Sequence, residues 1–81
     1  MKKSVAHLAT VYWRDACGSE GYVDDDDDLS PVDMVSSGIV IRANNEYVTL
    51  SPTACYDGRY RGYLTIARKM IKRIKYTKVK I

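Results

Sequence analysis

The chemically distinctive residues of this 81-residue chain are aromatic and cationic, and they suit binding better than catalysis. His7 is the only imidazole, and neither Cys17 nor Cys55 lies in a Cys-x-x-Cys motif, so one chain cannot assemble a zinc site. Neither of the common glycine-rich phosphate-binding motifs is present. We therefore expect a protein that is not an enzyme, has no catalytic residue and requires no metal or cofactor.

Side chains that together could bind a nucleotide are spread along the chain. A base stacks on an aromatic ring, phosphates bind cations, and ribose needs hydrogen-bond partners. Segment 56–61 alternates tyrosine with arginine and is the strongest candidate, whereas Trp13 could equally belong to the core. The candidate ligand-binding residues are Trp13, Asp15, Tyr22, Ser37, Tyr56, Arg59, Tyr60, Arg61 and Arg68.

Acidic and basic residues are segregated along the sequence. Eight acids and no base lie between Asp15 and Asp33, and nine bases and no acid lie between Arg59 and Ile81. The run 24–28 is five consecutive aspartates, which lack the spacing of an EF-hand loop. Because consecutive side chains point in different directions, we interpret the run as a solvated acidic loop. A weak divalent-cation site and a docking patch are the alternatives.

The basic C-terminal segment also has two interpretations. Its lysines and arginines could follow a nucleic-acid backbone. They could instead line the exposed side of an edge strand, where lysine prevents edge-to-edge aggregation. Opposite charge blocks in one chain also favour a head-to-tail subunit contact that closes into a ring, so we expect a homo-oligomer.

Short β-strands account for most of the chain. Val5–Arg14 is rich in β-formers, with His7, Ala9, Val11 and Trp13 on one face and Leu8, Thr10, Tyr12 and Arg14 on the other. Val32–Arg42 predicts a second strand in which Gly38 marks a bulge or sharp bend. Asn44-Asn45 predicts a tight hairpin, because asparagine tolerates positive φ.

The C-terminal half predicts a loop over Thr53–Arg61 and a strand over Gly62–Ile66. Ile66, Met70 and Ile74 fit helical spacing, while the following residues alternate as in a strand. The pattern favours a short helical turn over Ala67–Met70 and a strand from Ile71. We therefore predict an all-β fold, a small, strongly bent five-stranded barrel of the SH3-like or Sm-like kind.

Length and composition bound the organisation. Eighty-one residues allow one domain, 1–81, with the acidic loop at 24–28. No apolar run is long enough to span a membrane, and the N-terminus lacks the features of a secretory signal. We therefore expect a cytoplasmic protein with free thiols at Cys17 and Cys55.

Four short motifs resemble those of small, mostly uncharacterised tailed-phage accessory proteins. They are Trp13-x-Asp15-Ala16, Gly21-Tyr22, Gly38-Ile39-Val40 and Gly62-x-Leu64-x-Ile66-x-x-x-Met70-Ile71. The resemblance implies a phage origin, a non-enzymatic role and action in the host cytoplasm. It also implies a counter-defence function, such as blocking a host protein or sequestering a nucleotide signal.

Three functions follow as hypotheses. The leading one is sequestration of a small anionic nucleotide-type immune signal. The second is RNA or DNA binding through the basic C-terminal strand. The third is inhibition of a host protein, with the acidic loop imitating a nucleic acid. Composition and spacing alone do not choose among them.

Overall fold

A computed structural model describes residues 5–16, 18 and 20–80. Seven strands lie in these ranges, with a single 3₁₀ turn at Arg68–Met70 between the last two. The strands are β1 (Val5–Asp15), β2 (Val32–Ala43), β3 (Tyr47–Ser51), β4 (Thr53–Ala54), β5 (Tyr60–Arg61), β6 (Leu64–Ala67) and β7 (Ile71–Lys80).

The strands form one antiparallel five-stranded sheet, in the order β6-β3-β2-β1-β7, and a separate two-stranded sheet, β4-β5. The all-β prediction is therefore confirmed. A closed barrel is not found among the described residues, because β6 and β7 are the two edges of the large sheet and no ladder joins them. All four residues of β6 pair with β3, and the chain then turns directly into β7.

Several local predictions are confirmed. The first strand, the strand over 32–43, the turn after Ala67 and the strand from Ile71 all lie where the sequence pattern placed them. The predicted loop over Thr53–Arg61 is shorter than expected, because its two ends pair as β4 and β5. Buried Ser51 holds this small sheet to β3, since its Oγ lies 2.9 Å from the Thr53 carbonyl oxygen and 3.2 Å from that of Arg61.

The β2–β3 hairpin forms, but not by the predicted mechanism. No non-glycine residue of the described chain has a positive φ. Instead, the Asn44 side-chain oxygen accepts hydrogen bonds from the backbone N–H groups of Glu46 and Tyr47, each at 2.9 Å. The asparagine thus stabilises the turn through its side chain.

The core is small and lies on one face of the large sheet. Alternate positions of β1 supply three of its buried side chains, and β3 and β6 supply the rest. The buried apolar residues are Ala9, Val11, Trp13, Val48, Leu50 and Ile66. Val40, Met70, Ile71 and Ile74 pack against this cluster and are partly buried.

Gly38 lies close to the backbone of β3. A Cβ on this residue would lie 2.8 Å from the Ser51 carbonyl oxygen and 3.2 Å from the Leu50 Cβ. The predicted bend at Gly38 therefore takes the form of a close backbone approach. The register shift itself lies three residues further on, between Val40 and Arg42.

The described chain is elongated. Its radius of gyration is 16.0 Å and its principal extents are 53 × 22 × 19 Å, whereas a compact domain of this length has a radius of about 12 Å. The long strands β1, β2 and β7 form a ribbon, and residues 20–31 are exposed throughout. Within the described residues, no helix is long and apolar enough to cross a membrane.

Candidate ligand-binding face

The outer face of the ribbon is built by the side chains of β1 that point away from the core. Pairing with β2 places Thr10 beside Ser37, Tyr12 beside Val35 and Arg14 beside Asp33. On the other side, pairing with β7 places Thr10 beside Lys75 and Tyr12 beside Arg73. We call this solvent-facing surface, centred on Thr10, Tyr12 and Arg14, the outer face.

An aromatic ring and a guanidinium group stack at the centre of the outer face. The Arg73 Cζ lies 4.2 Å from the centroid of the Tyr12 ring. This distance is within the range of a cation–π contact, which contributes about 0.5–1 kcal/mol at an exposed site. The stack orients the guanidinium while leaving its N–H groups free to donate to an anion.

A three-residue ion network lies at one end of the outer face. Arg14 Nε donates to Asp33 Oδ1 at 2.9 Å, and Lys72 Nζ lies 3.6 Å from the same oxygen. The hydrogen bond from Arg14, with the neighbouring positive charges, lowers the pKa of Asp33. The same hydrogen bond raises the pKa of Arg14. Asp33 therefore remains ionised, and two cations share one carboxylate.

Two hydroxyls complete the row of polar groups. Thr10 Oγ1 and Ser37 Oγ are 2.9 Å apart and hydrogen-bond each other across the β1–β2 pair. Each hydroxyl retains capacity for a further hydrogen bond to a ligand. Ser37, a predicted site residue, is therefore part of the outer face.

β7 supplies the positive charge of this surface. It carries no acid, and its outer-face cations are Lys72, Arg73 and Lys75. Lys78 and Lys80 pair with His7 and Val5 and therefore lie on the opposite face. In the described part of the chain, Lys75, Lys78 and Lys80 form no salt bridge. Since an extra residue, Lys72, interrupts the β1–β7 register between Tyr12 and Trp13, both Lys72 and Arg73 reach outer-face residues of β1 or β2.

Trp13, the first predicted site residue, lies in the core instead. Its side chain is only 7% exposed, and its Nε1 donates a hydrogen bond to Ser36 Oγ at 3.0 Å. The buried ring with a satisfied N–H is typical of a structural tryptophan. A ligand base could stack on it only if the core opened.

The 56–61 segment is a tight turn in which oppositely charged side chains of the same segment pair with each other. Gly58 adopts a φ of 91°, and the turn closes with a 2.7 Å hydrogen bond from the Cys55 N–H to the Arg59 carbonyl oxygen. Arg59 Nε donates to Asp57 Oδ2 at 2.7 Å, so its charge is already paired within the turn. Tyr56 is highly exposed, Tyr60 is half-buried and Arg61 is exposed.

The remaining predicted residues do not gather at one place. Arg68 donates from Nε to the Asn44 carbonyl oxygen at 2.7 Å, which holds the 3₁₀ turn against the hairpin. Tyr22 is fully exposed on the long connection. Asp15 lies at the end of β1, where it lines a cleft of about 400 Å³ together with Arg14, Lys69 and Lys72.

The acidic loop is more ordered than its sequence implies. The Asp24 N–H donates to Asp27 Oδ2 at 2.9 Å, and the Asp27 N–H donates to the Asp24 carbonyl oxygen at 3.1 Å. This turn brings carboxylate oxygens of Asp24, Asp26 and Asp27 within 4.8 Å of one another. The expectation that consecutive aspartates diverge is therefore wrong for these three. All three are exposed, as expected for a solvated acidic loop.

Sequence reasoning missed Tyr12 and Arg73 as a pair. Alternation along β1 did place Thr10, Tyr12 and Arg14 on one face. The sequence offered no signal for which residue of the basic segment would face Tyr12, because that depends on the shift at Lys72. Cys55 is half-buried and has a free thiol, while the prediction for Cys17 lies outside the described residues.

Comparison with protein-family models, curated proteins and solved structures finds no match for this chain. The resemblance to tailed-phage accessory proteins therefore stays a prediction.

Proposed function

We propose that the chain is a non-enzymatic binding protein whose outer face holds the phosphate backbone of a single-stranded nucleic acid. The observation that carries this proposal is the combination of an acid-free basic strand with the Tyr12–Arg73 stack on an exposed sheet face. Proteins that bind single strands combine a positively charged track for phosphates with aromatic rings for bases.

The cations gathered on the outer face support a ligand that carries several phosphates. Arg73 and Lys75 lie beside the outer-face residues Tyr12 and Thr10. Lys72 and Arg14 meet at Asp33 on the same face. Thr10 and Ser37 supply hydrogen-bonding groups along the same face.

The strand order supports placing the fold among SH3-like and Sm-like domains. In the sheet order β6-β3-β2-β1-β7, the two edge strands are consecutive in sequence and joined by a 3₁₀ turn. Such a domain presents a strongly bent sheet, and the close approach at Gly38 agrees with strong bending.

The test compares two double charge reversals. Fluorescence anisotropy with a labelled oligonucleotide of mixed sequence is measured at 50 and 200 mM salt. If four phosphates are neutralised, the affinity of the native protein falls about 50-fold over this range. Arg73→Glu with Lys75→Glu, on the outer face, should abolish binding at 200 mM salt.

The matched control is Arg59→Glu with Arg61→Glu, which changes the net charge equally on the β4–β5 turn. This variant should lose far less affinity, because Arg59 is already paired with Asp57. Equal losses in the two double variants, or no oligonucleotide binding by the native protein, would overturn the proposal.

A second candidate is a small anionic nucleotide, as expected for a phage protein that sequesters an immune signal. The observation that favours it is the cleft at the end of β1, where Arg14, Lys69 and Lys72 surround Asp15. Titration with cyclic and ADP-ribose-type nucleotides should then show a shallow salt dependence. Lys69→Ala, which leaves the Tyr12–Arg73 stack in place, should weaken nucleotide binding and leave oligonucleotide binding unchanged.

A further inference from the structure

The first half of β2 is an unpaired sheet edge. β2 pairs with β1 from Val32 onward, but its pairing with β3 begins only at Ile39. Among the described residues, no backbone hydrogen bond from another segment covers the stretch 32–37 on its second side. β4 follows β3 and also contacts β2, so the free part of this edge is its first portion, 32–35, where every residue is exposed.

This edge lacks the features that keep strand edges from pairing. It contains no lysine or arginine, and its only acid, Asp33, is engaged by Arg14. Val32, Met34 and Val35 are 47%, 38% and 63% exposed. Natural proteins protect free edges with lysines, bulges or covering segments, and an unprotected apolar edge is a site for strand addition.

The other long edge of the sheet has the opposite character. β7 pairs with β1 on one side only, so its ten residues offer a second, longer edge. Its side chains are strongly basic, and Lys78 and Lys80 lie at its C-terminal end. The sheet thus has one apolar edge and one basic edge of sufficient length to match it.

The charges near the two edges favour antiparallel pairing between them. In an antiparallel pair, the start of β2 lies opposite the end of β7. The acidic loop, 24–28, precedes β2 by only three residues. Antiparallel pairing therefore brings the aspartates of one chain next to Lys78 and Lys80 of another.

We propose that this edge of β2 binds the β7 edge of a second copy of the chain, in antiparallel register, and that the acidic loop pairs with Lys78 and Lys80 across the contact. The interaction is heterologous, so repeated contacts close into a ring when the rotation between copies permits it. Strand pairing uses backbone groups and leaves Arg73 and Lys75 on the outer face, so the proposal stands independently of nucleic-acid binding.

Contact between two β2 edges is the competing arrangement. It would bury apolar residues from both copies, but it would leave the longer β7 edge unpaired and the opposite charges unused. The β6 edge is only four residues long, with all four already paired to β3 on its other side. Charge complementarity therefore favours β7 as the partner of β2.

Sedimentation velocity and native mass spectrometry test the contact at 20–100 µM protein, roughly the range in which weak heterologous contacts populate. The native protein should be oligomeric at 50 mM salt and dissociate as salt rises, because ion pairs at an exposed rim are screened. Lys78→Glu with Lys80→Glu should raise the dissociation constant at least about 10-fold. Adding Asp25→Lys and Asp26→Lys to that variant should restore assembly.

Val35→Lys should also prevent assembly, because it places a charge in the apolar edge. Tyr56→Lys, an exposed apolar residue on the β4–β5 turn, is the matched control and should leave assembly intact. Circular dichroism and Trp13 fluorescence report folding of every variant. A native protein that is monomeric at 100 µM in 50 mM salt overturns the proposal. The proposal is also overturned if Val35→Lys disrupts the oligomer but charge reversal at Lys78 and Lys80 does not change its dissociation constant. That pattern would identify a β2–β2 contact.

Discussion

The two faces of β1 have opposite environments although they share one backbone. Ala9, Val11 and Trp13 are at most 7% exposed and form half of the buried core. The intervening Tyr12 and Arg14 contact charged groups of β7 and β2 at the surface. One-residue steps along β1 thus separate the side chains that form the core from those of the proposed binding surface.

This separation matters because the core is so small. A chain of this size buries only about 60% of its unfolded surface, so each buried side chain carries a large share of stability. The inner face must therefore tolerate little change. The outer face can carry the charges and aromatic groups that binding requires, since its substitution leaves the core packed.

Truncation of the tryptophan should produce the largest effect. Trp13→Ala removes a buried ring and the hydrogen bond to Ser36, and should cost about 3–5 kcal/mol in the free energy of unfolding. For a domain of marginal stability, that loss unfolds much of the population. Urea denaturation followed by circular dichroism measures the change.

The neighbouring outer-face substitution, Tyr12→Ala, is the control for this loss. It should cost about 1–2 kcal/mol, because it removes a half-buried ring and its cation–π contact with Arg73. If both variants lost equal stability, the two faces of β1 would not differ in the way described.

Adding a side chain at Gly38 should produce the second largest loss of stability. In Gly38→Ala the new methyl group meets a backbone carbonyl at 2.8 Å and cannot avoid it by a rotamer change. We expect a loss of about 1–3 kcal/mol, as for an overpacked core. Thermal or urea unfolding provides the measurement.

Gly18→Ala is a matched control, since nothing lies within 4 Å of a Cβ at that position. It should leave the unfolding midpoint unchanged. A Gly38→Ala protein as stable as the Gly18→Ala protein would show that β2 and β3 can separate without cost.

Loss of the outer-face ring should have a moderate effect on binding. Tyr12→Ala should weaken oligonucleotide affinity about 10-fold at constant salt, as expected when one stacked base loses its aromatic partner. Tyr56→Ala, which removes an equally aromatic and more isolated ring, should change affinity by less than about 2-fold. Anisotropy titrations of the two variants side by side distinguish the strand face from the turn as the binding surface.

The contrast between the strand face and the turn shows how far sequence reasoning reaches. The first strand, the hairpin at Asn44 and the turn after Ala67 were predictable because each depends on residues close in sequence. The salt bridge of Arg59 with Asp57 is also local, since the two residues are two positions apart in sequence.

The outer face was not predictable, because it depends on pairing between β1 and β7. These strands are more than fifty residues apart, and their register contains a shift at Lys72. A one-residue change in register moves every side chain to the other face. Sequence alternation alone could therefore assign the faces of β1 but could not bring Arg73 to Tyr12. The free edge of β2 could not be predicted for the same reason. Strand 32–43 is continuous in sequence, and part of its edge is free only because its partner β3 is shorter.

The ion network at the end of the outer face should give the smallest effect. The hydrogen bond from Arg14 lowers the pKa of Asp33 in the folded protein. A carboxyl group with a lowered pKa stabilises the fold above its unfolded pKa of about 3.9, and this contribution disappears as pH falls through the folded pKa. Asp33→Asn should therefore lower the urea midpoint slightly at pH 7 and leave it equal to that of the native protein near pH 2. Asp25→Asn, in the acidic loop, controls for the loss of one negative charge and should not lower the midpoint at pH 7. A difference between Asp33→Asn and the native protein that persists unchanged at low pH would mean that the side chain acts through packing, and the outer face would then share the structural role of the inner one.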